Sequence, residues 1–88
     1  MTVVIKKDGG SEDFNRDKIR RAIESAARRT KLEQKRAREV AEKVAKRVEE
    51  HFSREEKVRS TDIRNRVLNE LEREEKSVAR EFKVFRKD

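Results

Sequence analysis

Four side chains suited to holding a phosphate group fall between positions 6 and 18: Lys6, Lys7, Asn15 and Lys18. Lys6 and Lys7 close a short β-prone run, Val3-Val4-Ile5, and stand directly before Asp8-Gly9-Gly10. Asn15 is a good N-cap for a helix beginning at Arg16, which puts Lys18 in its first turn. A helix N-terminus presents unpaired N–H groups and the positive end of the helix dipole, so it attracts phosphate. Lysines carried beside it by a hairpin deepen such an anion site. Side chains alternate along a strand, so Lys6 and Lys7 are expected on opposite faces and in different parts. The same residues also fit an ordinary solvated hairpin, because surface lysines are commonplace.

What the chain lacks narrows the chemistry further. Neither G-x-x-x-x-G-K-[ST] nor G-x-G-x-x-G occurs, so a nucleotide site here needs another architecture. There is no cysteine, which excludes disulfides and thiolate metal sites. His51 is the one histidine and falls near the end of the second predicted helix, where positive charge complements the dipole. No nucleophile is paired with a base, and the carboxylates are dispersed along solvated helix faces. The expectation is a binding protein with no catalytic residues and no metal ligands.

The elements that position these side chains are legible from periodicity. Asp-Gly is a strong hairpin signal, since the turn needs positive φ where glycine costs nothing, and Ser11 to Phe14 supplies the return strand. Ile19, Ala22, Ile23, Ala26 and Ala27 form one apolar stripe on the first helix. Thr30-Lys31-Leu32-Glu33 reads as a capping box opening a second helix that runs to about Phe52. Its inner face carries Ala37, Val40, Ala41, Val44, Val48 and Phe52. Ser53 to Lys57 is a charged connector, after which Val58 and Arg59 can add a short third strand. Ser60 or Thr61 caps a third helix with Ile63, Val67, Leu68 and Leu71 inward. A last helix from about Ser77 buries Val78, Phe82 and Phe85. The predicted fold is α+β and mostly α: an N-terminal β-hairpin packed on a bundle of about four helices. All of residues 1–88 fall in one domain, since a chain this short has room for one core.

Charged residues make up 51% of the sequence and hydrophobic residues 32%, with a formal net charge of +7. Such a charge fraction also describes disordered chains. Helical spacing of the apolar residues and the mixing of both signs argue for a folded domain. No apolar run approaches the roughly 20 residues of a membrane span and no signal peptide opens the chain, so a soluble cytoplasmic protein is expected, with no membrane partner. The positive charge favours polyanions, whether nucleotides, nucleic acid or an acidic protein surface.

The segment from Val4 to Ile19 closely resembles the opening of ATP-cone domains. Those domains begin with a strand, Lys-Arg-Asp-Gly, a short return strand ending in an apolar residue, Asn or Asp, and then Lys-Ile or Lys-Leu after a two-residue gap. They stand at the N-termini of ribonucleotide reductase large subunits and in the transcriptional repressor of reductase genes. Val58-Arg59-Ser60-Thr61-Asp62-Ile63 is similar to the family's element before its third helix, and Val84-Phe85-Arg86 to its closing Val-Tyr-Arg. The resemblance implies that Val4 and Ile19 line an adenine pocket and Glu12 binds the edge of the base. It implies that Lys6, Lys7 and Lys18 hold phosphates, with Asn15 near the sugar or phosphates. Ser60 and Arg64 would close the site from the third helix, and Arg86 would add charge from the last. Each also has an ordinary reading: Val4 and Ile19 as core, Ser60 as a cap, Arg64 and Arg86 as solvated. Lys7 replaces the family's arginine, Arg64 stands where some reductases have histidine, and Phe85 replaces tyrosine.

The implied ligand is ATP or dATP acting as an effector, with Mg²⁺ able to accompany it. The implied action is regulation of a partner protein, related to ribonucleotide reductase or transcription, or of self-association. Two alternatives rest on the residues alone. One is a nucleic-acid-binding protein using the basic runs Arg16 to Arg21, Arg28 to Lys31 and Lys35 to Arg38. The other is a structural helical adaptor that keeps the fold without the ligand.

Overall fold

The computed structural model describes residues 2–84. Strand β1 (Val3–Ile5) pairs antiparallel with β2 (Ser11–Asp13) and parallel with β3 (Lys57–Arg59), so the sheet order is β2-β1-β3. The return strand Ser-Glu-Asp has little β propensity, and the turn is what sets it in place. The Gly9 N–H donates to the Lys6 carbonyl at 3.0 Å, and the Lys6 N–H donates to the Gly10 carbonyl at 2.8 Å. Gly9 has φ +91°, and Asp8 accepts the Gly10 N–H at 2.8 Å through its carboxylate. This is the pattern of a three-residue loop closed by one left-handed glycine. Such a loop begins just after Lys6, so β1 ends at Ile5 and Lys7 lies in the turn, not on a strand face as alternation suggested.

Four helices follow: α1 (Arg16–Ala27), α2 (Gln34–Phe52), α3 (Ser60–Glu74) and α4 (Lys76–Val84). α1 packs on α2 and α4, and α3 packs on the same two, which closes a ring of four. Short connections make successive helices antiparallel. The sheet end of the bundle therefore holds the start of α1, the end of α2, the start of α3 and the end of α4. The predicted apolar stripes face inward. Ile23, Val40, Val44, Val48, Val67, Leu71 and Val78 are fully buried in one cluster, with Phe14, Ile19, Phe52 and Ile63 packed against it. Phe85 lies outside the described residues.

Two predicted caps are corrected. Thr30 does not open α2; its hydroxyl donates to the Ala27 carbonyl at 2.6 Å and accepts the Leu32 N–H at 3.1 Å, closing α1. α2 then starts at Gln34, with Glu33 at the N-cap and no side-chain cap bond. Ser60 is the first helical residue of α3 and Arg59 the N-cap, because β3 runs without a break into the helix. Asn15 does cap α1, accepting the Lys18 N–H at 3.3 Å.

Ion pairs stitch the antiparallel helices together. Arg16–Glu49 (3.3 Å) and Arg20–Glu42 (3.5 Å) join α1 to α2, while Arg47–Glu70 (3.4 Å) and Lys43–Glu74 (3.2 Å) join α2 to α3. Most are partly exposed and worth ~0.2–1 kcal/mol each. Among the described residues no helix is long and apolar enough to cross a membrane.

Candidate functional site

The site is built on the middle row of the sheet. Val4 stands opposite Glu12 on β2 and opposite Val58 on β3. Residues directly opposite share a face of a sheet. Val4 and Val58 are buried, at 6% and 5% exposure, so Glu12 sits on the inward face beside them. From there its carboxylate meets the Lys18 ammonium at 2.9 Å. The contact follows from the cap: Asn15 fixes the first turn of α1, and helical side chains lean back toward the N-terminus, which returns Lys18 to the sheet. The two side chains are 51% and 37% exposed, so their attraction is weak, below ~1 kcal/mol, and an anionic ligand can take the lysine from the carboxylate. The arrangement offers an ammonium and the open first turn of a helix to phosphate, beside an apolar surface.

The remaining predicted residues fall in three places. Ile5 and Arg59 form the last paired row, and Lys6 and Ser60 are the next residues on their chains, so both leave the sheet at the same end. Lys6 and Lys7 are exposed there, and Ser60 is half-buried. Asn15 comes two residues past the opposite end of the hairpin, whose first and last paired rows are about 7 Å apart for strands this short. The hairpin therefore does not set Lys6 beside Asn15; Glu12 and Lys18 occupy the span between them. Ile19 is half-buried against the helical core. Arg64 is turned to α4, where its guanidinium donates to the Phe82 and Lys83 carbonyls at 3.0 and 3.2 Å and lies 4.9 Å from the centre of the Phe82 ring. Arg86 lies outside the described residues.

Two features of the site were not assigned from the sequence. Val58 joins Val4 on the inward face, and the charged–apolar–charged spacing of Lys57-Val58-Arg59 is the signal that points to it. Arg64 closes the last turn of α4, and no local pattern announces a backbone partner 18 residues away. Among the described residues, no three His, Asp or Glu side chains gather to hold a metal ion.

A search of curated proteins finds no match to this chain. The family model described as the ATP cone domain matches it over residues 2–88. A three-stranded sheet at one end of a four-helix ring, with a lysine and a carboxylate meeting on its inward face, is thus matched along essentially its whole length, and the chain belongs to the ATP-cone domain family, whose members are nucleotide-binding regulatory modules.

Proposed function

We propose that residues 1–88 act as a single cytoplasmic domain that binds ATP or dATP at the sheet end as a signal, not as a substrate. The observation that carries this reading is the Glu12–Lys18 contact on the Val4 face at the opening of α1. In this reading the adenine rests against Val4 and Ile19, with its amino edge toward Glu12. Lys18, Lys6 and Lys7 hold the phosphates, Asn15 sits near the sugar or phosphates, and Ser60, Arg64 and Arg86 border the site. Mg²⁺ would come with the phosphates, which supply its ligands.

A bound nucleotide regulates only by favouring one of two states. The sheet and α1 are the elements it touches, so the states differ in how the sheet end presents itself to a partner. That partner is a separate protein related to ribonucleotide reductase or transcription, or a second copy of the domain. The test is to titrate ATP, dATP and AMP into the protein while following its amide resonances. Saturable shifts between Lys6 and Lys18 are expected with ATP; shifts that spread evenly over the surface, or none, would sink the reading. Lys18→Ala removes a charge-assisted bond worth ~1.5–3 kcal/mol, so ATP affinity should fall at least ~10-fold with the circular dichroism spectrum unchanged.

A further inference from the structure

Three basic runs mark the sequence, and the structure treats them differently. In the first, Arg16 pairs with Glu49, Lys18 with Glu12, and Arg20 with Glu24 at 2.8 Å as well as Asp17 and Glu42. Arg21 donates to the Asp17 carbonyl. Carboxylates thus face three of the four cations of that run, Arg16, Lys18 and Arg20. The second and third runs meet at one corner, where α1 ends and α2 begins, at the end of the bundle away from the sheet. Arg28, Lys31, Lys35 and Arg38 are exposed there, and none makes an ion pair among the described residues. Residues 28–39 hold six basic and two acidic side chains, which is +4 of the chain's +7. The acidic two, Glu33 and Glu39, form no ion pair with the four cations.

We infer that this corner docks the sugar–phosphate backbone of a nucleic acid duplex, without reading its sequence. An acidic protein is the other polyanion to weigh. Protein interfaces draw their energy from buried aromatic and apolar anchors inside a polar rim. The corner has none: Leu32 packs against the core, and Val84, the exposed large hydrophobic among the described residues, ends α4 at the opposite end. A phosphate backbone needs only cations, because counterion release supplies the affinity. Lys35 and Arg38 stand three residues apart on α2, where side chains are neighbours, and suit successive phosphates. The Phe14, Phe52 and Phe82 rings belong to the core or pack against it, so among the described residues no phenylalanine offers a platform for bases.

The test uses the whole chain without nucleotide, so its outcome is independent of the reading of the sheet end. Anisotropy of a short labelled DNA duplex is followed between ~50 and ~200 mM salt. Four phosphate contacts predict a slope of log K against log salt near −3.6, which is a loss of affinity of about 150-fold over that range. Lys31→Ala/Lys35→Ala/Arg38→Ala should leave a slope near −1 and bind at least about tenfold more weakly at the lower salt. Lys31→Arg/Lys35→Arg, which keeps the charge, should bind as the parent does, and a thermal melt of each variant confirms the fold. A parent protein with no salt-dependent binding, or a triple Ala variant that binds unchanged, overturns the inference. So does polyglutamate binding at this corner in place of the duplex.

Discussion

At Gly9 the chain adopts a backbone conformation that side chains resist. Its φ is +91°, and a Cβ placed there meets no atom within 4 Å, so the cost of any side chain is conformational and not steric. Gly9→Ala should destabilise the domain by about 1–2 kcal/mol in urea denaturation, the ordinary penalty of the left-handed region. An unchanged midpoint would mean that the loop can re-form with its glycine elsewhere. The same loop decides what Lys6 and Lys7 can reach, because it ends β1 at Ile5. Lys6, Asn15 and Lys18 were legible as phosphate-binding candidates because their spacing is local: a turn, a cap and one helical turn fix their places. The Glu12–Lys18 contact was not legible, since it depends on which row of the hairpin faces inward. If Glu12 accepts the amino group of adenine, Glu12→Ala should shrink the preference for ATP over GTP in competition binding, since a guanine presents a carbonyl at that edge. An unaltered preference would move the base elsewhere on the sheet.

At the scale of elements, apolar spacing located every helix and its buried face, because burial of a stripe is what stabilises helices of this length. Helix starts were less legible. Thr30 has the right neighbours for a capping box, yet its hydroxyl is already held by the Ala27 carbonyl at the end of α1. That hydroxyl accepts the Leu32 N–H, and α2 starts only at Gln34, beyond the reach of a cap at Thr30, so α2 is left with no side-chain cap. Two opposite predictions follow from these unequal starts. Asn15→Ala removes the one oxygen that holds the Lys18 N–H and should cost about 1 kcal/mol. Glu33→Ser gives α2 a short capping oxygen and should raise the denaturation midpoint by a comparable amount. No gain from Glu33→Ser would show that water already satisfies the first turn of α2 as well as a side chain does.

Over the whole molecule the sheet and the bundle are unequal partners. Val4 and Val58 are buried but stand outside the main cluster, whose buried members all come from the helices, with Phe14 and Leu32 packed against it. Each strand has three residues, and two of the three strands are edges. Polar links at Thr2 tie the sheet to the end of α2 and to the connector after it, and a bond from Val3 extends the β1–β3 pairing. The Thr2 hydroxyl lies 2.8 Å from the Glu55 carbonyl and 3.2 Å from that of Phe52, and the Val3 N–H donates to Glu56 at 2.8 Å. Elements with few apolar contacts open locally at lower free energy than the global unfolding. Ladder amides of β1 and β3 should therefore exchange with solvent at least ~10-fold faster than those around Val44 and Leu71, a difference of ~1.4 kcal/mol or more. Thr2→Val should widen the gap, because it removes one of the links. ATP bound across Val4, Glu12 and Lys18 should narrow it, slowing the strand amides while leaving those at the α1–α2 corner unchanged. Strand amides as protected as those of α2 would mean that the sheet opens only with the bundle. A nucleotide would then have no separate element to stabilise, and its signal would have to pass through α1 and the helical core instead.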